Sequence, residues 1–421
     1  MSRVSIEGAA EVLRPPEDGL AYLRHDRAGE LALETGSVTL GDGLVAALED
    51  DPGAALRVDA AGCTVLPGFV DCHTHLPFAG WRAEEYELKV TGVPYEQIAR
   101  RGGGIAASAR AFGDASDEAV LAQAGAIATE MLQAGTTTFE CKTGYGLSLF
   151  AERRAARLAH ELGDEVEQAT MVTGLFAHAV PEGYTADAWM DEVEALAGSV
   201  DVDALDIYVE SVAFENRHLE RLGAIAAARG VPLRAHVEQF ATNRSVPVAL
   251  AAGARSVDHL ARLHPEDLTP LARSETAAVL LPGAEVLGAE ELAPGRALAD
   301  AGAICVVGSD CNPGTSPVSS LPVIVGLAVR RYGWSVREAL LACTLNAAYV
   351  LGLSATVGSL EPGKRGDVIL LDSPAAHLPY RFGRNPVCAV FVAGRPAWVR
   401  ADSAWRIRSS SSTPEPGVSS P

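Results

Sequence analysis

Eight short apolar, β-branched runs alternate with alanine-rich stretches of helical periodicity through the middle of the chain, and that alternation leaves few architectures open. The runs are 64–70, 136–141, 169–176, 204–209, 232–237, 256–259, 276–281 and 303–308. Between them lie candidate helices such as 117–134, 152–162, 186–197, 217–229 and 294–301. Strand followed by helix, eight times over roughly 250 residues, predicts an α/β chain folded as a (β/α)8 TIM barrel over 64–355. The runs are continuous rather than alternating, as expected of strands buried on both faces. Residues 1–63 and 356–405 instead show short strands and turns, around 38–40, 44–48, 367–371 and 390–392. Neither piece is large enough for its own core, so they are predicted to combine into one small β-sandwich. The Ser- and Pro-rich tail 406–421 is expected to be disordered.

Composition narrows the function classes. No apolar run approaches the ~18 residues of a membrane span, and Met1–Glu7 lacks the basic-then-apolar pattern of a secretion signal. A net charge of −20 argues against nucleic acid or an anionic membrane as partner. It does not argue against a small anionic substrate, since one nearby arginine outweighs a screened distant field. Seven cysteines, an odd number without a CxxC pair, point to a reducing cytoplasm rather than a disulfide framework.

The C-terminal strand ends form the active face of such a barrel. Here the first strand ends at His73 and His75, the third at His178, the fifth at His236, the sixth at His259 and the eighth at Asp310. Only 10 of 421 residues are histidine, so this placement is selective. In an extended segment His73 and His75 point the same way and Thr74 the other. His73, His75, His236 and Asp310 are thus the candidate metal ligands, three imidazoles and a carboxylate that suit one divalent ion, Zn²⁺ or Fe²⁺, and tolerate Mn²⁺. A bound ion would lower the pKa of a water towards ~7, giving a hydroxide nucleophile at neutral pH. His259 and Asp310 are placed to hold that water and take its proton. Residues 207–211 contain no lysine to bridge a second metal, which favours a single ion. Lys142 leaves a two-metal site open, its other reading being an ion pair. Cys72, Cys141 and Cys311 read as core, and His25, His160, His218, His264 and His377 as surface residues.

Residues 67–75 (PGFVDCHTH), 308–310 (GSD), 344–348 (TLNAA) and 363–367 (GKRGD) resemble the amidohydrolase superfamily. Segments 78–86, 95–99, 102–105, 142–147, 178–181, 258–260, 280–283 and 310–317 narrow the resemblance to its imidazolonepropionase family, over about 60–395. The resemblance implies hydrolysis of 4-imidazolone-5-propanoate to N-formimidoyl-L-glutamate, a step of histidine degradation, by hydroxide attack on the ring amide. It implies that Arg82 grips the propanoate with Tyr95 and Tyr145, a role a guanidinium fork and phenol hydroxyls suit. His178 would stabilise charge on the attacked carbonyl oxygen, with Asn312 beside the metal. Glu238 or Gln239 would reach the leaving nitrogen. Gln239 stands where some relatives carry glutamate, and as an amide it would only bind substrate, leaving His259 and Asp310 to shuttle the proton. The expected partners are a small anionic heterocyclic substrate and a second copy of the chain in a homodimer.

Three features depart from the family pattern: Trp81 before Arg82, Cys72 in place of a common proline, and a loosely matching segment 208–214. Two other readings stay open. Another mononuclear amidohydrolase, such as a cyclic-amidine deaminase or a lactam hydrolase, would share the metal set without the anion pocket. A non-catalytic relative would usually have lost a ligand.

Overall fold

The computed structural model describes residues 3–93, 97–98, 102–288 and 291–409. Its centre is a ring of eight parallel strands in chain order: Phe69–Asp71 (β1), Thr136–Lys142 (β2), Ala169–Ala177 (β3), Ala204–Val209 (β4), Leu233–Val237 (β5), Ser256–His259 (β6), Ala277–Leu280 (β7) and Cys305–Val307 (β8). Every residue of β2, β4, β5 and β6 is buried. Their apolar side chains pack in the core, and the charged ones among them, Glu140, Lys142, Asp206, Arg234 and Asp258, pair with one another inside the barrel. The outer helices begin where the sequence supplies a cap: Ser116, Ser148 and Thr185 accept the amides of Ala119, Ala151 and Ala188. Their alanine and leucine stripes, such as Ala155, Leu158, Ala159 and Leu162, face the barrel.

The predicted first run is two strands. Thr64–Pro67 pairs with Val368–Leu371 in the small sheet, and only Phe69–Asp71 enters the barrel. Gly68 is the break: a Cβ there would sit 2.1 Å from Thr137 Oγ1, so only glycine lets the chain cross from one sheet to the other. The terminal segments form one hydrogen-bonded sheet of nine strands around an apolar interior that includes Ile6, Val38, Leu40, Val65, Val368, Leu370 and Phe391.

Two further differences concern the termini. The segment around the 3₁₀ turn His25–Glu30 does not join the small sheet; Leu23, Ala28 and Leu31 pack in the barrel's core. Asn346 anchors it, accepting from the Leu23 amide at 3.0 Å and donating to the Leu23 carbonyl at 2.9 Å. At the other end Ile407–Ser409, expected to be disordered, pairs with Leu56–Val58, because Arg406 donates to the Asp59 and Ala61 carbonyls and holds the chain there. Residues 410–421 lie outside the described residues.

His25 and His218, expected at the surface, are buried. The His218 ring accepts from the Glu215 amide at its helix start. The His25 ring packs, tilted, 4.3 Å from that of Trp334, and neither of its nitrogens has a hydrogen-bond partner among the described residues. Burial pulls its pKa down to about 3, with the Glu338 carboxylate and Arg296 guanidinium acting in opposite senses beside it. The unfolded histidine takes a proton near its ordinary 6.5 while the folded one does not, so acid favours unfolding across that window. We expect His25→Phe to flatten the fall in stability between pH 6.5 and 3, by up to about 1.4 kcal/mol per pH unit. Urea midpoints of both proteins at about pH 7 and about pH 4.5 check this.

Candidate active site

Beyond β1 the chain stays extended. Thr74 forms a parallel bridge with Cys311, beyond β8, and turns its hydroxyl to the Glu140 carbonyl. His73 and His75 therefore both face the barrel mouth, as alternation requires. The same seam places the aspartate: the Asp310 amide donates to the His73 carbonyl, and the His75 amide to the Cys311 carbonyl, each at 2.9 Å. Gly308 permits the approach, since a Cβ there would lie 2.8 Å from the His73 Cβ.

His236, at the end of β5, completes the cluster. One donor nitrogen from each of His73, His75 and His236 lies within 4.8 Å of the others, and all three residues are buried. The Asp310 Oδ1 stands 3.2 Å from His75 Nε2 and 3.5 Å from His73 Nε2. The Nε2 atoms of His73 and His236 have no hydrogen-bond partner among the described residues. Buried bare nitrogens are costly unless something binds them, and three imidazoles with a carboxylate are the donor set a divalent ion takes. The residues fit a metal. Burial holds the His73 and His75 rings well below the ordinary range and His236 down to about 4, so all three are neutral ligands at pH 7. The His259 ring lies 5.5 Å from that of His236 and 5.9 Å from that of His73. His259 and Asp310 have φ of +80° and +52°, a left-handed backbone uncommon outside glycine that turns both side chains in at the strand ends.

A pocket that opens to solvent lies above the cluster. His75, Arg82, Tyr145, His178, His236, Gln239, His259, Asp310 and Asn312 line it, together with Tyr208, Phe240 and Thr315. Arg82 supplies the positive end. Its Nε lies 3.6 Å from Glu85, yet Nε and Nη1 are buried with no hydrogen-bond partner among the described residues. Gly314 makes room, because a Cβ there would fall 1.4 Å from Arg82 Nη2. His178 stacks on His75 at 5.4 Å and pairs its Nδ1 with the Gly144 carbonyl at 3.0 Å. Burial lowers its pKa to about 3. A carbonyl only accepts, so the proton of this neutral ring sits on Nδ1 and Nε2 offers a lone pair.

Residues 64–400 match the model of the amidohydrolase family. An imidazolonepropionase of Rubrobacter xylanophilus is 40% identical over 89% of this chain and 94% of its own, and one of Cupriavidus necator is 41% identical over 84% and 87%. The chain belongs to the amidohydrolase family, among the imidazolonepropionases. Solved structures of a triazine hydrolase variant (TM-score 0.74, 17% identity, 94% of each chain) and of a Xanthomonas campestris adenosine deaminase with bound zinc (TM-score 0.66, 20% identity, 94% of this chain and 93% of that one) share the fold.

Within this amidohydrolase site Glu238 and Asn312 differ from expectation, whereas Lys142 and the three cysteines take the ion-pair and core roles read from the sequence. Glu238 faces away from the cavity, its two oxygens taken by the Asn243 and Ser245 amides at 3.0 and 2.7 Å. Asn312 lines the cavity but spends its amide on its own loop, accepting from Gly314 and Thr315 and donating to the Asp310 carbonyl and the Thr315 hydroxyl. Lys142 is an ion pair, 2.7 Å from Asp206 and 2.9 Å from Glu140. Trp81 is half exposed and does not line the cavity. Cys72, Cys141 and Cys311 pack in the core. Tyr95 lies outside the described residues.

The sequence reading missed Tyr208 and the carboxylates behind the histidines. Asp258 Oδ2 meets His73 Nδ1 at 2.6 Å, and Asp206 Oδ1 meets His236 Nδ1 at 3.1 Å. A usable signal was there: Asp206, Tyr208 and Glu210 recur at every second position of one strand and its end, the period of a single face. Glu152, also missed, holds the loop that carries Tyr145. It accepts from the amides of Gly144, Gly146 and Leu147 at 3.0, 2.7 and 2.9 Å. Removing it in Glu152→Ala leaves three amides unpaired, and hydrogen exchange of a 143–148 peptide is expected to quicken about tenfold or more. A β5 peptide from the same sample serves as the unchanged control.

Proposed function

We propose that this amidohydrolase opens the ring of 4-imidazolone-5-propanoate to N-formimidoyl-L-glutamate with one divalent ion, zinc or ferrous iron, held by His73, His75, His236 and Asp310. The carrying observation is one cavity with a neutral three-histidine cluster at its floor and the buried, unpaired Nε and Nη1 donors of Arg82 at its side. A bound ion supplies Lewis acidity and an activated water for hydrolysis. The chain's own groups do the rest. Arg82 takes the propanoate as a charge-assisted fork, with Tyr145 beside it. Since His178 Nε2 is a lone pair, that residue accepts an N–H of the imidazolone ring; it does not donate to a developing oxyanion. His259 takes the proton of the attacking water and, with Asp310, returns one to the ring nitrogen as the amide C–N bond breaks. Gln239 has no transferable proton and binds the ring edge. The identity to imidazolonepropionases across most of their length supports this substrate over a cyclic amidine or another lactam. Seven buried cysteines with no disulfide fit a reducing compartment, and we place the enzyme in the cytoplasm.

The ultraviolet absorbance of the imidazolone gives a direct assay. Arg82→Ala is expected to raise KM about 10- to 100-fold, the worth of a charged hydrogen-bonded contact, while kcat changes only a few-fold. Gly314→Ala should raise KM in the same direction without removing a charge, because its Cβ would displace the guanidinium. An unchanged KM in both variants would remove the anion pocket from the account. Stripping the protein with a chelator is expected to abolish turnover, and added Zn²⁺ or Fe²⁺ to restore it. Turnover that survives chelation would count against the metal reading.

A further inference from the structure

Beneath the ligands, inside the barrel, five charged side chains join end to end. Asp258 Oδ2, which holds His73 Nδ1, is also 2.8 Å from Arg234 Nη2. Arg234 Nη1 reaches Glu140 Oε1, and Glu140 Oε2 lies 2.9 Å from Lys142 Nζ. Lys142 Nζ is 2.7 Å from Asp206 Oδ2, whose other oxygen holds His236 Nδ1. The path therefore starts on one proposed metal ligand and ends on another. Each member is at most 1% exposed, and none lines the substrate cavity.

Two features give this chain of charges a directional role. Its members come from β2, β4, β5 and β6, so it crosses four neighbouring strands and links β5, which carries His236, to His73 beyond β1 through Asp258. Arg234 also donates to the Cys72 carbonyl at 2.7 Å, the peptide immediately before His73, and to Ser256 Oγ at 3.0 Å. Ser256 in turn donates to Asp258 Oδ1 at 2.6 Å. Both aspartates are thus pinned from behind as well as by the imidazole in front. Burying five charges costs several kcal/mol per ion before pairing, so such a path is poor evidence for stability alone. What it does provide is orientation: a fixed carboxylate holds an Nδ1–H, leaving Nε2 bare and aimed at the cluster.

We propose that Arg234 and Lys142 are positioning residues of the metal centre, fixing from inside the barrel the two carboxylates that set the tautomer and ring orientation of His73 and His236. The proposal rests on the metal-site reading above and is independent of which ring is hydrolysed.

Two double variants cut the path on either side while keeping its net charge: Glu140→Gln with Lys142→Met, and Glu140→Gln with Arg234→Met. Zn²⁺ affinity of the full chain is measured by competition with a chromogenic chelator, and folding by far-ultraviolet circular dichroism and Tm. Each folded variant is expected to bind Zn²⁺ about 10- to 100-fold more weakly than the parent. ¹⁵N-histidine spectra of the chelator-stripped parent should show His73 and His236, beside His178, as exchange-protected Nδ1–H imidazoles with bare Nε2, and those of the variants mixed tautomers at His73 or His236. Folded variants that bind Zn²⁺ within about twofold of the parent would overturn the proposal. So would a parent spectrum lacking the protected Nδ1–H tautomers of His73 and His236, and that spectrum decides alone if neither variant folds. A parent that takes up no Zn²⁺ at all overturns the metal centre itself.

Discussion

The active face depends on a short seam where the first and last strands of the barrel meet. Asp71 and Ser309, 238 positions apart in the chain, join there through a carboxylate-to-amide bond of 3.0 Å. The backbone bonds between His73 and Asp310 and between His75 and Cys311 continue it. Without that closure the two histidines and the aspartate would be ends of separate strands. With it, three of the four proposed ligands come from two adjacent extended segments, and only His236 must be delivered from across the ring. The close packing is possible because Gly308 has no side chain to keep the strands apart.

The molecule's electrostatics are local. A net charge of −20 would repel an anion at long range, yet the cavity presents the buried donors of Arg82 and neutral imidazoles. At physiological ionic strength surface charges are screened within about 8 Å, whereas a guanidinium held against Gly314 acts on whatever enters the cavity. Inside the barrel the pattern reverses, with carboxylates and cations alternating. Burial pushes the Asp206 carboxyl up, but His236, Lys142 and Arg234 outweigh it and hold it well below the usual range. Beneath the neutral imidazoles at the site's floor thus lies a fixed, buried arrangement of paired charges.

Much of this was legible in the order of residues. The strand bounds 204–209 and 256–259 coincide with the structure, because a short buried strand stands out between helical stretches and turn residues even where, as at Asp206 and Asp258, it carries a charge. His73, His75, His236, His259 and Asp310 were readable for the related reason that the mouth of such a barrel lies at the C-terminal strand ends. The run at 64–70 misled, since both of its halves are buried strands and only the three-dimensional position of Thr137 shows why Gly68 must divide them. His25 misled because a histidine in a polar stretch looks solvated, and only the docking of that stretch beneath the barrel covers it.

The sequence by itself determined which elements form and which residue types stand at the barrel mouth, because hydrophobic periodicity and strand alternation act between neighbours in the chain. Tertiary structure alone decided what each polar group touches. Glu238 and Gln239 are adjacent, yet one is captured by loop amides and the other lines the cavity. Lys142 meets Asp206 from the second strand along, and Asp258 meets His73 across the ring. Those pairings cross from strand to strand, and they depend on how far each strand is staggered against the next when the ring closes. No local pattern in the chain records that stagger.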